Sequence, residues 1–176
     1  MSVLNKPQLL YHRQEIAAAV RKLAEQISRD YRDENPILIG ILKGSFIFMA
    51  DLVRLLEFPL EIDFIRLSSY GSGRQTSGQV KVEQVPGTSI KDRDVLVIED
   101  IVDTGLTTAF LLDYLRQQAP ASLRLCALLD KPARHRVPVN IDYLGFAVPD
   151  KFLVGYGLDY NQQYRHLPDI CYLEET

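Results

Sequence analysis

The chain has 176 residues, enough for one domain with a sizeable buried core. Its 20 basic and 23 acidic residues leave a net charge of -3, so no broad positive field points to nucleic acid or an anionic membrane, and any bound anion needs a local site. Hydrophobic residues at 47% and charged ones at 24% match an ordinary globular chain, no apolar run is long enough to span a bilayer, and residues 1–7 lack the basic-then-apolar pattern of a secretory leader.

From Gln14 to Tyr31 the residues Ile16, Val20, Leu23 and Ile27 recur at helical spacing. Pro36 then introduces Ile37 to Leu42, an unbroken apolar run too short for a helix, which reads as a buried strand. Gly44 and Ser45 open a second helix reaching about Leu56. Leu60 to Ser69 alternates in polarity and predicts a strand, and Val80, Val82 and Val85 alternate in a second one. Between them, residues 68–78 are rich in Ser and Gly and predict a mobile hairpin tip. Asp94 to Ile98 is a further buried strand, and Thr104 to Gln118 a helix with Thr104 as N-cap. Leu123 to Leu129 is the next strand, and Cys126 within it reads as a buried thiol. Cys126 and Cys171 make no disulfide framework, so a reducing, cytoplasmic setting is expected. Beyond Pro132 short strands are expected near Tyr143–Phe146 and Leu153–Tyr156. His12, His135 and His166 lack metal-ligand spacing and read as surface residues. Strands alternating with helices imply a mainly parallel sheet covered on both faces.

The richest chemistry follows the strand at Val95. In open α/β sheets ligands bind beyond the carboxyl ends of the strands. Here an apolar strand leads to Glu99 and Asp100, then to Asp103-Thr104-Gly105-Leu106-Thr107-Thr108 at the start of a helix. Free amides and the positive end of the helix dipole suit a phosphate there, Gly105 permits close approach, and three Thr hydroxyls add donors. Two carboxylates beside a phosphate need hydroxyls or a cation, so ribose hydroxyls and Mg²⁺ both answer. Neither a Walker loop nor a dinucleotide-binding glycine pattern is present. The plain alternative is a capped helix after a core strand, with solvated acids.

The segment Val95 to Thr108 resembles the ribosyl-pyrophosphate signature of the type I phosphoribosyltransferases. Four further segments resemble the hypoxanthine (hypoxanthine-guanine) phosphoribosyltransferases among them: Leu42-Lys43-Gly44-Ser45, Ser68-Ser69-Tyr70-Gly71, Asp130-Lys131, and Pro149 to Tyr160. The resemblance implies an α/β fold with a mainly parallel central sheet over residues 10–130, and a small hood from residues 131–176 plus the N-terminal segment. It implies transfer of a 5-phosphoribosyl group to N9 of a 6-oxopurine. Asp103 to Thr108 would then hold the 5′-phosphate, Glu99 and Asp100 would meet the ribose hydroxyls or their metal, and Asp103 would act as base or acid at purine N7. Lys43, Gly44 and Arg165 would meet the pyrophosphate, although Arg165 reads equally well as a surface residue. The peptide before Lys43 would be strained or cis. Lys131 would donate to the purine 6-oxo group, Phe152 would stack on the base, and Leu153 would offer its backbone. Asp159 would hold a second Mg²⁺ through water. Ser69 and Tyr70 would belong to a lid. A homodimer or homotetramer is implied, with no nucleic-acid or membrane partner. Two rivals remain: a regulatory RNA-binding protein on the same fold, which should show a basic face, and a xanthine-preferring or pyrimidine enzyme.

Overall fold

A computed structural model describes residues 6–69 and 80–174, with the side chain of Ser69 excepted. The expected mobile tip at residues 68–78 lies almost wholly outside the described residues.

Nine strands and three α-helices follow in chain order among the described residues. They are β1 (Gln8–Tyr11), α1 (Arg13–Asp30), β2 (Ile37–Leu42), α2 (Phe46–Val53), β3 (Glu61–Ser69), β4 (Val80–Gln84), β5 (Asp94–Val102), α3 (Leu106–Arg116), β6 (Ser122–Asp130), β7 (Tyr143–Ala147), β8 (Phe152–Val154) and β9 (Ile170–Leu173), with a single 3-10 turn at Pro132–Arg134.

The large sheet runs β4-β3-β2-β5-β6-β7. All its pairings are parallel except β3 with β4. Its central strands carry unbroken apolar runs, Val95–Ile98 in β5 and Leu125–Leu129 in β6, because both faces are covered there. Leu38, Leu96, Ile98, Cys126 and Leu128 point to one side, into a core shared with α1 and α2. Ile37, Ile39, Val95, Val97 and Leu125 point to the other, against Leu111, Leu112 and Leu115 of α3. Burial pushes the Cys126 thiol up, away from the reactive thiolate form. Fully burying side chains of this size is worth roughly 1.5–3 kcal/mol each.

A second, three-stranded sheet has the order β1-β9-β8, with both pairings antiparallel. Leu153 and Ile170 of this sheet, with Tyr156 and Leu158 from the connection between β8 and β9, join the same core as α1 and α2, so the small sheet is docked on the large one by shared apolar contacts. Tyr156 adds a polar tie, its hydroxyl donating to Asp51 Oδ2 at 2.6 Å.

Sequence direction reverses between β2 and β5. From β2 the chain builds outward to β3 and β4, and from β5 outward to β6 and β7. That is the switch point where a crevice opens beyond the strand ends. Lys43 and Gly44 stand at one lip, Glu99 and Asp100 at the other.

Several boundaries differ from the sequence expectation. Strand β5 continues to Val102, so Glu99 and Asp100 lie inside it rather than after it. Helix α3 starts at Leu106 with Gly105 as N-cap at φ 80, and Thr104 contributes its hydroxyl as acceptor for the Leu106 amide at 3.4 Å. The left-handed backbone at the cap is one that glycine adopts without a steric cost, so the cap falls there and not on Thr104. Helix α2 stops at Val53, short of Leu56. Strands β1 and β9 had no counterpart in the sequence reading. The Leu42–Lys43 peptide is cis.

Candidate active site

Two adjoining cavities occupy the crevice. The smaller, about 270 Å³, is enclosed by Gly44 from the loop after β2, Glu99 and Asp100 of β5, and Thr104, Gly105, Thr107 and Thr108 around the start of α3. Among the described residues no Lys or Arg lines its wall. Its capacity for an anion therefore rests on backbone amides, hydroxyls and the α3 dipole, which is how helix N-termini take phosphate. Leu106 opens α3 but does not line this cavity.

The larger cleft, about 820 Å³, is bounded by Lys131, Arg134, Phe152, Leu153, Asp159 and neighbouring hood residues. Asp100, Ile101 and Asp103 line both cavities. A ligand with a phosphate in the small cavity and a planar ring in the large one would have its middle beside these three residues.

Glu99 is 6% exposed. Burial, reinforced by the neighbouring Asp100 charge, holds its carboxyl well above the usual carboxylate range, while the Thr108 hydroxyl donates to it and opposes the rise. Burial raises Asp100 as well. The two acids share a hydrogen bond. A cation or a pair of hydroxyl donors would relieve this repulsion, so the pair has the character of a ligand site. Gly44 is packed against the same carboxylate, and a Cβ there would overlap Asp100.

Asp103 sits at the mouth between the cavities. Arg134 Nε donates to its Oδ1 at 2.6 Å, and Lys131 Nζ lies 3.8 Å from its Oδ2. Lys131 is buried, its own amide donating to Val102 O at 2.9 Å, so the strand ends β5 and β6 fix the ammonium in the cleft. Arg134 also donates to Asp150 Oδ1 at 3.4 Å, linking Asp103 to the turn before β8. Asp103 beside Arg134 raises the guanidinium above its ordinary value. His135 is not a free surface residue: its Nε2 lies 2.6 Å from Asp130 Oδ1, and both are largely shielded. The 3-10 turn thus ties two strand-end acids through successive residues.

Phe152 is exposed on the cleft wall and meets Tyr160 edge to face at 5.4 Å between ring centroids. Leu153 is buried beneath it. The Asp159 carboxylate accepts from Arg165 Nη2 at 2.7 Å and from the Gln162 amide at 2.8 Å. Arg165 Nη1 donates to Gly157 O at 2.7 Å, so Arg165 is held inside the hood and is not a loose surface cation. Lys43 Nζ donates to Gln162 Oε1 at 2.9 Å. Lys43, far away in sequence, therefore meets Asp159 and Arg165 at one rim. Gly157 makes this approach possible: at φ 102 its Cα abuts Gly44 O, and a Cβ would overlap that carbonyl. Tyr70 and the Ser69 side chain lie outside the described residues.

Arg134, His135 and Gln162 were absent from the sequence reading of the site. Arg134 had a signal, a basic residue three positions after Lys131 in a Pro-started turn, but nothing local assigns its partner. Gln162 had none, being one polar residue in a polar stretch.

Comparison with known proteins agrees with this geometry. The phosphoribosyl transferase domain family matches residues 8–161. A hypoxanthine phosphoribosyltransferase of Salmonella typhimurium is 47% identical over 156 residues, covering 88% of each chain. A hypoxanthine-guanine phosphoribosyltransferase of Bacillus subtilis is 43% identical over 166 residues, covering 94% of this chain and 92% of that one. The solved structure of a hypoxanthine-guanine phosphoribosyltransferase from Bacillus anthracis superposes with a TM-score of 0.91 at 42% identity, covering 97% of this chain and 99% of that one. With its strand-end crevice, its amide-lined cup and these relatives, the chain belongs to the phosphoribosyltransferase family, alongside the hypoxanthine and hypoxanthine-guanine phosphoribosyltransferases.

Proposed function

We propose that this transferase moves the 5-phosphoribosyl group of 5-phosphoribosyl 1-pyrophosphate to N9 of hypoxanthine or guanine, releasing pyrophosphate and giving IMP or GMP in purine salvage. The observation that carries this reading is the meeting of the amide-lined cup and the aromatic cleft at Asp100–Asp103, with the buried Lys131 ammonium facing the second.

In this reading Asp103 to Thr108 hold the 5′-phosphate, and the ribose hydroxyls donate to Glu99 and Asp100. As the C1′–oxygen bond to pyrophosphate breaks, its electron pair leaves with the diphosphate and positive charge grows at C1′. The N9 lone pair then forms the new bond, while Asp103 accepts the N7 proton. Losing that proton leaves a neutral nucleotide base, and a carboxylate in reach of N7 contributes about 10²–10⁴-fold by such proton transfer. Arg134 occupies Oδ1 of Asp103, while Oδ2 faces the cleft with Lys131 Nζ 3.8 Å away, beyond hydrogen-bond length, so it can still accept the proton. Lys131 donates to the 6-oxo group. Adenine presents an amino donor there and would leave the ammonium unpaired, a mismatch that polar sites reject strongly. Phe152 stacks on the ring, and the Leu153 backbone meets its edge. Ser69 and Tyr70 shield the reaction from water, whose attack on the activated ribose competes with transfer.

The acids Glu99 and Asp100 also suit Mg²⁺. Among the described residues no group of three or more His, Cys, Asp or Glu forms a protein-only cage, so the donor set fits a cation carried in with the diphosphate and held by one or two carboxylates. When bound, Mg²⁺ would neutralise charge on the leaving diphosphate. Asp159 is the candidate for a second ion through water. We further infer a homodimer or homotetramer working in the cytoplasm; no described helix is long and apolar enough to cross a membrane.

The test is initial rates with the ribosyl pyrophosphate, Mg²⁺ and each of hypoxanthine, guanine, xanthine, adenine and uracil. Nucleotide should form from hypoxanthine or guanine and not from adenine or uracil. No product from either 6-oxopurine would end this reading.

A further inference from the structure

We propose that Gln162 is an internal stand-in for a phosphoryl oxygen of the donor, holding the pyrophosphate rim closed on itself until the donor displaces it. The inference rests on the transferase reading above, extended by the family resemblance, which gives Lys43 and Arg165 to the diphosphate.

Gln162 Oε1 accepts from Lys43 Nζ at 2.9 Å and from Arg165 Nη2 at 3.4 Å. Two cations from distant parts of the chain, one after β2 and one beyond β8, thus converge on a single neutral oxygen. Converging cationic donors of this kind are what a phosphate oxygen takes, and an anionic acceptor adds a Coulombic attraction that a neutral amide carbonyl lacks. Gln162 is exposed and sits at φ 65, with its amide anchored on Asp159 Oδ2 at 2.8 Å. Its backbone is therefore fixed while its side chain is at the surface and free to swing away. Arg165 is only partly satisfied in this arrangement, since its Nε is buried without a hydrogen-bond partner. A resting state with an orphaned donor is inexpensive to leave.

An amide here has a definite consequence. It quenches both cations weakly, so the free rim resists collapse onto stray anions but yields to a diphosphate. An acid in its place would form two ion pairs and compete with the donor outright. Removal of the side chain would end its own competition, freeing Lys43 of this contact and leaving Arg165 Nη2 on Asp159 at 2.7 Å. Each hydrogen bond is worth about 0.5–1.5 kcal/mol net, so releasing the weaker resting contacts should change affinity by roughly 3–10-fold.

The experiment uses the full chain with Mg²⁺. Binding of inorganic pyrophosphate is measured by calorimetry for the unaltered protein, Gln162→Ala and Gln162→Glu, alongside KM for the ribosyl pyrophosphate and for hypoxanthine. Gln162→Ala should tighten pyrophosphate and lower the donor KM by about 3–10-fold, with the hypoxanthine KM unchanged. Gln162→Glu should weaken both by more than about 10-fold, as an ion pair replaces a neutral contact. Weaker pyrophosphate binding in Gln162→Ala would make Gln162 a direct ligand contact and overturn the inference, as would no change in either variant. If the unaltered protein neither bound pyrophosphate nor formed nucleotide, the underlying function would fall instead, so the two failures are distinguishable.

Discussion

Asp103 is held rather than free, and that shapes what single substitutions should do. Asp103→Asn keeps the size of the side chain but cannot take a proton, so kcat should fall about 10²–10⁴-fold with little change in donor KM. Arg134→Met keeps the stem and removes the 2.6 Å contact, leaving Asp103 with Lys131 alone. A loosened base costs turnover more than binding, so kcat should fall by about 10-fold, and Arg134→Lys should recover part of it. Unchanged kcat in Arg134→Met would show that Arg134 does not position the base. Glu99 has the opposite sign for stability. Its proton affinity is raised in the folded chain, chiefly by burial, so its ionised form is a destabilising element. That cost is absent below the ordinary carboxylate pKa, develops as pH rises past it, and is complete above the folded value. Glu99→Gln should therefore raise the ligand-free Tm at neutral pH, by about 2–4 °C for each kcal/mol regained, lose that gain near about pH 4, and lower activity at the same time. Melting curves at both pH values check the sign. At this scale the sequence showed the acids, the amide-bearing turn and Lys131, because strand-end position and residue type are local properties. It could not show Arg134 on Asp103 or Gln162 on Lys43, since those partners lie 31 and 119 positions apart.

Secondary-structure elements meet at two loops, and Gly157 is the sharpest test of how. It has φ 102 and lies against Gly44 O, so Gly157→Ala meets both a backbone penalty and an overlap. Left-handed backbone costs a non-glycine residue about 1–2 kcal/mol before any displacement is counted. The variant should lose at least that much stability, read from denaturant midpoints, and its donor KM should rise because the loop after β2 is pushed toward Asp100. A neutral effect on both would mean that the hood loop does not set the rim. The long elements were legible for a simple reason. β2 and the middles of β5 and β6 are buried on both faces and so carry apolar runs, while α1 repeats its core residues at helical spacing. β1 and β9 were not, because each is four residues long and only partly buried, and their stability comes from pairing Gln8 with Tyr172 across the whole chain. The end of β5 was misread for a related reason: acids within a strand look like its terminator unless the burial that the fold imposes on them is known.

For the molecule as a whole, the candidate active site is a seam between two sheets that share one core, which would tie ligand binding to global stability. The cup belongs to the large sheet, and Asp159 and Arg165 belong to the segment that carries the small one. A donor that touches Thr104–Thr108 at one end and Lys43 and Arg165 at the other would bridge both, so it should stabilise the folded chain as a unit. At 100 times its dissociation constant a ligand contributes about 2.7 kcal/mol, which for a chain of this length is a rise of roughly 5–11 °C in Tm. The rise should require the metal. Glu99 and Asp100 already repel each other, and a diphosphate brought beside them without a cation adds like charge to a buried pair. Thermal shift with the ribosyl pyrophosphate should therefore show the full rise with Mg²⁺ and less than about half of it after chelation. The variant Asp100→Asn separates the causes: with one charge removed, the dependence of the shift on Mg²⁺ should shrink. An equal shift with and without the metal in the unaltered chain would show that the acids bind hydroxyls alone, and the cation would then have no place at this pair.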